Sequence, residues 1–308
     1  VYESDGHGRD VISTIAANIP YVFVGTAPEA SFYLIKTEDA TGEYVAEEYY
    51  WLLAAEYVDS LGVDVIVSSL GYHTFDDKRQ NHAYVDLDGR TTAISRAALA
   101  ASQKGILVVT SAGNEGSNKW KHITAPADVP EVLTVGAVDR DGYIAPMSSR
   151  GFANRSYIKP DLVARGTQTV VAHRYNYETT YNSGTSFACP IVAGVAITLM
   201  QALPQVQPQD IHLALRRTAS QADKADTERG YGIANAFAAY KSLSGSVLEI
   251  SANDANTFPQ PPSDCRERLD LFIYDAPNGS KIEVEIQYPT GEIAFAEPLT
   301  AQRGQASY

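Results

Sequence analysis

Apolar positions in the first 245 residues fall into short continuous runs separated by segments with a helical period. The β-branched runs at 62–67, 106–109 and 132–138 predict buried strands. Apolar residues recur every three or four positions over about 47–60 and 92–104, which predicts a helix before each of the first two strands. Strands that are apolar throughout and alternate with helices are typical of a parallel sheet covered on both faces. The predicted fold class is therefore α/β with a mostly parallel sheet.

The same pattern predicts further elements. The apolar run at 31–36 predicts a buried strand, and a helix is expected to follow His7-Gly8. The long apolar segment at 191–200 predicts a buried helix that starts near Gly184-Thr185-Ser186. The helix over 47–60 is expected to turn one face inward, formed by Tyr50, Leu53, Ala54 and Tyr57.

Near residue 246 the alternation of predicted strands and helices gives way to short strands alone. Short candidate strands at 247–250, 269–274, 282–288 and 292–295 are separated by proline-rich and Asn-Gly turn segments. We expect two domains, a large α/β domain over 1–245 and a small all-β module or partial β-sandwich over 246–308.

Composition narrows the class of partner. The chain has 308 residues, 44% of them apolar, which is enough for one large core and a small module. A formal net charge of -13 argues against binding to nucleic acid and to anionic membranes. We find no run that approaches a membrane span and no basic-then-apolar signal segment at the start. The two cysteines, Cys189 and Cys265, do not make a disulfide framework.

Candidate chemistry centres on Ser186, at the junction of a small-residue turn and the buried helix. The free N–H groups and positive dipole end of a helix favour a negative oxygen nearby. Ordinary roles also fit, because serine is a common helix N-cap, and a histidine at a helix start such as His7 is commonly a surface residue. Asn114, which follows the strand at 106–110, has an equally ordinary role in a turn.

Four short motifs together point to one family. His7-Gly8, Ser69-Leu70-Gly71, the segment 111–116 (Ser-Ala-Gly-Asn-Glu-Gly) and Gly184-Thr185-Ser186 occur in this order, each at a helix start or a strand end. In order and context they resemble the subtilase family of serine endopeptidases, over residues 1 to about 243. The resemblance implies a subtilisin-like fold of three layers, αβα, around the parallel sheet.

The resemblance assigns catalytic roles, and the chemistry suits each residue. Ser186 would attack the scissile carbonyl, and His7 would take its proton and return it to the leaving amine. The side-chain amide of Asn114 and the backbone N–H of Ser186 would bind the oxyanion, because an amide donates without adding a charge.

Substrate contacts also follow from the resemblance. An edge segment at 69–71 would pair with an extended substrate as an added strand. Ala112 and Gly113 would form one wall of the first specificity pocket, and Thr124 would lie near its base. The implied substrate-binding residues are Ser69, Leu70, Gly71, Ala112, Gly113 and Thr124.

The sequence departs from the family pattern in several places. The family's catalytic aspartate lies on a strand before the histidine, and we expect it upstream of Val1, since Asp5 is poorly placed behind the ring. Arg9 replaces a small residue beside the general base. Phe152 and Arg165 stand where the family commonly has proline.

Partners and setting are expectations from the resemblance. It implies a polypeptide substrate, a propeptide or protein inhibitor, and a secreted, periplasmic or cell-surface location. The chemistry requires no cofactor, and the acidic composition is compatible with structural calcium, although no metal ligands are assigned.

Two alternatives to a peptidase stay open. One is a catalytically silent subtilase-like domain that binds polypeptides, and the other is an esterase that uses the same residues. The β module would be a sorting tail, an accessory domain or a cap on the catalytic domain.

Overall fold

The computed structural model describes residues 6–173 and 178–244, together with the backbone of two strands at 281–287 and 293–300. The chain divides into two compact units, Val1–Val247 and Leu248–Tyr308. The α-helices of the first unit are α1 (His7–Ala16), α2 (Ala46–Ser60), α3 (Ala93–Gln103), α4 (Thr185–Ala202), α5 (Pro208–Arg217) and α6 (Ala236–Ser244). Single 3₁₀ turns occur at Lys78–Gln80 and Ala222–Lys224.

A parallel sheet forms the middle of the first unit. Its strands are β3 (Val65–Ser68), β4 (Leu107–Ser111), β5 (Leu133–Val138) and β6 (Leu162–Arg165), hydrogen-bonded in that order and all parallel. The same unit also contains two antiparallel pairs: β1 (Asn18–Ile19) with β2 (Phe23–Val24), and β7 (Thr169–Ala172) with β8 (Thr179–Asn182). The predicted α/β class with a mostly parallel sheet is confirmed.

Successive side chains of β4 pack on opposite faces of this sheet. Leu107 and Val109 belong to a core shared with α4, α5 and α6, whereas Val108 belongs to a core shared with α2 and α3. The period of two along a strand produces this division, because successive side chains point to opposite faces. The result is three layers, with helices on both sides of the sheet.

Helix α4 lies across the sheet and carries Ser186 in its first turn. It packs against all four parallel strands, and Ala188, Cys189 and Val192 are almost fully buried. Gly194 lets the helix approach the loop after β2, because a Cβ there would lie 1.9 Å from Thr26 Oγ1. The N-terminus of α4 is thereby fixed near the carboxyl ends of β3 and β4.

By length and composition alone, α4 could cross a membrane, and among the described residues it is the helix that meets both criteria. The expectation that no apolar run approaches a span therefore does not hold on those criteria. Burial explains the apolar composition, because 61% of the helix is buried inside the structure.

The predicted strand at 31–36 is wrong. This segment has no regular secondary structure, and Tyr33 and Leu34 are 62% and 59% exposed. A continuous apolar run indicates a preference for burial, but whether a neighbour covers the run is decided by the packing. The described residues supply no strand partner for this segment.

Helix α2 forms where predicted, but its predicted inward face is wrong. Tyr50, Leu53 and Tyr57 are each at least half exposed, and Trp51 and Ala55 are buried instead. The helix is apolar on more than one side, so spacing alone does not select the buried face.

Two buried glutamates explain the rotation of α2 about its axis. The carboxylate of Glu47 accepts from the backbone N–H groups of Asp39 and Tyr44, at 2.7 and 2.9 Å. The carboxylate of Glu48 accepts from the Ile94 N–H and contacts the His82 ring. A buried carboxylate must be hydrogen-bonded, so these contacts fix the rotation of the helix.

In the second unit, β9 (Lys281–Gln287) and β10 (Ile293–Thr300) form an antiparallel pair. They coincide with two of the predicted strands. The predicted strands at 247–250 and 269–274 lie outside the described residues.

Candidate active site

Ser186 does not cap helix α4. The helix begins at Thr185, its N-cap is Gly184, and no side chain makes a capping hydrogen bond there. The Ser186 hydroxyl instead faces the edge segment, 3.5 Å from the carbonyl oxygen of Ser69, and the Ser69 hydroxyl donates to the Ser186 carbonyl at 2.8 Å. Ser186 lies in the first turn, where backbone N–H groups have no partner within the helix. The ordinary capping role is therefore excluded.

Asn114 is held by the residue beside Ser186. The Asn114 side-chain oxygen accepts from the Thr185 backbone N–H at 2.9 Å and from the Thr185 hydroxyl at 3.1 Å. The Thr185 hydroxyl in turn accepts from the Gly113 N–H at 3.2 Å. Because the oxygen is occupied by Thr185, the amide nitrogen of this exposed side chain is directed away and is available to donate. Thr185 is a positioning residue that the sequence analysis did not identify.

His7 lies at the start of α1, next to the first turn of α4. Its ring meets the Phe187 ring edge-on, with the ring centroids 5.9 Å apart. The neighbouring Arg9 is paired with Asp10 at 2.7 Å, and Asp10 also accepts from the Asn182 amide at 3.3 Å. The Arg9 charge beside His7 is therefore compensated locally by Asp10.

An acidic side chain also lies near His7. Glu38 accepts a hydrogen bond of 2.5 Å from the Tyr72 hydroxyl and interacts electrostatically with His7. Burial raises the pKa of the Glu38 carboxyl, and the hydrogen bond from Tyr72 opposes that rise.

The edge segment and the adjacent Tyr72 connect the loop that carries Ser186 to the segment at 124–125. Tyr72 and Ala125 exchange backbone hydrogen bonds of 2.9 and 3.1 Å. Leu70 and Gly71 are half-buried, and the Leu70 carbonyl accepts from the Ser111 hydroxyl at 3.4 Å. The segment therefore follows the carboxyl ends of β3 and β4, where the resemblance expects a substrate strand.

The residues that the resemblance assigns to the first specificity pocket differ in their burial and contacts. Ala112 is fully buried in the core, and its N–H donates to the Val135 carbonyl at 2.9 Å. Gly113 has a φ of 101°, a conformation that favours glycine. Thr124 is 2% exposed and lies against both Gly71 and Gly113.

Comparison with known proteins agrees with this arrangement. The family model described as "Subtilase family" matches residues 1–233. The chain belongs to the subtilase family. Subtilisin E of Bacillus subtilis (strain 168) is 32% identical over 224 residues, which cover 71% of this chain and 51% of that protein. Subtilisin DY of Bacillus licheniformis is 32% identical over 222 residues, covering 71% of this chain and 72% of that protein. The chain thus spans about half the length of subtilisin E.

Solved structures confirm the subtilisin-like αβα fold. The self-cleaved protease domain of PatA superimposes with a TM-score of 0.64 at 25% identity, covering 80% of this chain and 87% of that one. The patellamide maturation protease PatA gives a TM-score of 0.64 at 26% identity, with coverages of 78% and 85%.

Two departures from the subtilase pattern have local contacts of their own. Phe152 stacks on His122, with the ring centroids 4.5 Å apart, and the Arg155 guanidinium lies 5.5 Å from the Phe152 centroid. Arg165 donates to the Gln168 carbonyl at 2.9 Å and so holds the turn between β6 and β7.

A buried charge cluster lies at the start of β6. Asp161 lies 2.6 Å from Lys159, 3.3 Å from His212 and 3.7 Å from Arg216. Burial alone raises the pKa of the Asp161 carboxyl, but the attraction of these three groups outweighs it and holds the pKa well below its usual value. Strand β6 leads to Gly166, whose carbonyl accepts from the Gly184 N–H at 2.8 Å. The cluster therefore lies at the opposite end of β6 from the residue that bonds the Ser186 loop.

Among the described residues, no group of three or more His, Cys, Asp or Glu side chains is placed to hold a metal ion. Structural calcium stays an expectation drawn from the resemblance.

Thr185→Val tests the positioning of Asn114. Valine keeps the shape but removes the hydroxyl that bridges the Gly113 N–H and the Asn114 oxygen. We expect kcat/KM for a peptide substrate to fall about 10- to 100-fold, because small misplacements of a catalytic donor have effects of this size. KM should change little, since the donor acts mainly in the transition state.

Thr185→Ser is the matched control and should retain most of the activity, because it keeps the hydroxyl. Equal losses in both variants, or a loss confined to KM, would contradict the positioning role.

Proposed function

We propose that this subtilase is the catalytic part of a secreted serine endopeptidase that cleaves peptide bonds through a Ser186 acyl-enzyme. The observation that carries the proposal is the orientation of the Ser186 loop. Ser186 faces the edge segment instead of capping its helix, while the adjacent Thr185 orients the Asn114 amide.

The proposed first chemical step gives each of these residues one role. His7 accepts the Ser186 proton as the hydroxyl oxygen attacks the scissile carbonyl. The carbonyl oxygen becomes an oxyanion, which accepts hydrogen bonds from the Asn114 amide nitrogen and the Ser186 backbone N–H. His7 then gives the proton to the leaving amine, and the acyl-enzyme remains.

Water completes the reaction by the reverse sequence. His7 takes a proton from water, the hydroxide oxygen attacks the acyl carbonyl, and Ser186 recovers its proton as the new carboxyl product leaves. A carboxylate that holds the His7 ring would favour the protonated form that the ring takes in the intermediate.

The edge segment 69–71 supports a polypeptide substrate over a small ester. It is half-buried, its Ser69 hydroxyl donates to the Ser186 carbonyl, and the next residue, Tyr72, pairs with Ala125 on one side. An extended peptide would add to it as a strand. A propeptide or protein inhibitor would use the same groove, and the proposed secreted setting rests on likeness to the subtilisins.

The main rival is a silent domain that binds polypeptides in this groove. Labelling of the full-length protein with a fluorophosphonate, compared with Ser186→Ala, separates the two. We expect covalent labelling of the wild-type protein that is abolished by the substitution and by prior heat denaturation. Peptide binding without labelling that depends on Ser186 would establish the silent domain instead.

A further inference from the structure

Helix α4 contains a proline one turn after the proposed nucleophile. Pro190 lies inside the helix, four residues after Ser186. In an α-helix each carbonyl accepts from the N–H four residues later, and proline has no N–H. The Ser186 carbonyl therefore cannot form the ordinary bond within its helix. Ser186 is 7% exposed, and a buried carbonyl without a donor is unfavourable.

Ser69, in the edge segment, supplies a donor in place of the missing N–H. Its hydroxyl donates to the Ser186 carbonyl at 2.8 Å, across 117 positions of the chain. The Ser186 hydroxyl in turn lies 3.5 Å from the Ser69 carbonyl oxygen. The first turn of α4 is therefore attached to the edge segment at the nucleophilic residue itself.

Ser69 is firmly held, because it directly follows the last residue of β3. That residue, Ser68, is 5% exposed, and its hydroxyl accepts from the Trp51 indole N–H at 2.8 Å. The Ser68 carbonyl accepts from the Thr110 hydroxyl of β4 at 3.2 Å, and the Cys189 thiol lies 3.8 Å from the same oxygen. Contacts with α2 and β4 therefore fix the point to which α4 is attached.

We propose that Ser69 is a positioning residue whose hydroxyl replaces the N–H that Pro190 lacks and fixes the Ser186 backbone relative to the edge segment. The proposal rests on the proposed peptidase function. Ser186 carries both the attacking oxygen and a backbone N–H of the proposed oxyanion site, so one hydrogen bond positions both groups. A peptide strand that adds to the edge segment is thereby kept in register with the nucleophile.

Ser69→Ala in the full-length protein tests the positioning role. We expect kcat for a tetrapeptide p-nitroanilide to fall about 10- to 100-fold, because a displacement of about 1 Å in a reacting group can cost 10²-fold. KM should change less than about threefold, since the backbone of the edge segment is kept and the effect is on the transition state. An unchanged kcat, or a loss confined to KM, would refute the proposal.

Pro190→Ala separates positioning from simple satisfaction of the carbonyl. Ser69→Ala should lower the melting temperature by about 2–4 °C, the shift typical for loss of one hydrogen bond in a domain of this size. Adding Pro190→Ala returns an N–H to the helix and should restore most of that stability. The kcat of the double variant should stay at least about 10-fold below that of Pro190→Ala, because a bond within α4 does not attach Ser186 to the edge segment. Recovery of kcat together with stability would refute the positioning role.

Substrate length gives a readout that a purely structural role would not change. Binding of remote substrate residues raises kcat only when it acts on the reacting centre. A single-residue ester does not use the edge segment, so the tetrapeptide-to-ester ratio of kcat/KM should fall at least about threefold in Ser69→Ala. Equal losses for both substrates would refute the link between substrate strand and nucleophile.

Ser102→Ala is the matched control. Ser102 is a 3% exposed serine of α3 whose hydroxyl donates to the Glu131 carbonyl at 3.3 Å. Its substitution should lower the melting temperature without changing kcat or the length ratio. Fluorophosphonate labelling distinguishes the two possible failures. Labelling that depends on Ser186, with no effect of Ser69→Ala on kcat, overturns only the role of Ser69, whereas absence of labelling overturns the peptidase function and this proposal together.

Discussion

Ser186→Ala in the full-length protein is expected to lower kcat about 10⁶-fold, the size of the effect known for triad removal in subtilisin itself. The substitution removes the attacking oxygen, so only binding and oxyanion stabilisation remain to accelerate attack by water. Stability should change little, because the Ser186 hydroxyl makes only a long contact of 3.5 Å to the Ser69 carbonyl. Initial rates with a peptide p-nitroanilide and thermal unfolding measure the two effects.

The His7→Ala variant tests whether His7 acts on Ser186. A base and its nucleophile act as one unit, so His7→Ala alone should be about as damaging as Ser186→Ala. The double variant should then lose no more activity than either single variant. Additive losses would show that His7 acts independently, and the position of the His7 ring beside Phe187 would then need another explanation.

Asp161→Asn is expected to cause the largest loss of stability, about 3–5 kcal/mol in the free energy of unfolding near pH 7. Asparagine leaves Lys159, which is 2% exposed, buried without a compensating charge and close to Arg216. Urea unfolding followed by fluorescence measures the loss. A change below about 1 kcal/mol would mean that the cluster contributes little to the free energy of unfolding.

The pH dependence gives a sharper test of the same cluster. The pKa of Asp161 is lowered in the folded protein. Its contribution to stability is therefore complete above the unfolded value of about 3.9 and is lost as the pH falls further toward the folded value. The difference in the free energy of unfolding between wild type and Asp161→Asn should therefore shrink as the pH falls below about 4.

Asp128→Asn is the matched control, a fully buried aspartate bonded by neutral donors. Its carboxylate accepts from the Gly89 N–H at 2.7 Å and from the Ser95 hydroxyl at 2.6 Å, and burial raises its pKa. A raised pKa favours folding below the unfolded value and disfavours it as the pH rises through the folded value. Relative to wild type, Asp128→Asn should therefore become more stable with rising pH, while Asp161→Asn becomes less stable. If the stability of both variants relative to wild type changed with pH in the same direction, the opposite pKa shifts given to Asp128 and Asp161 would be refuted.

The helices and strands that flank the site were predictable because each carries a strong local signal. The runs at 62–67 and 106–109 correspond to β3 and β4, and Thr92 caps α3 as its position before a helical period suggests. The rotation of α2 was not predictable, since it depends on the hydrogen bonds of Glu47 and Glu48 to distant backbone groups.

For the site, the family and the candidate residues could be predicted from the sequence, because the order of the short motifs around His7, Asn114 and Ser186 is a property of the chain. The tertiary structure decided what those residues do locally. Gly184 rather than Ser186 caps α4, Thr185 holds Asn114 across 71 positions, and Thr124 lies between two glycines from separate loops. Each of these facts depends on contacts between segments far apart in the chain, and neither periodicity nor spacing along a sequence encodes such distances.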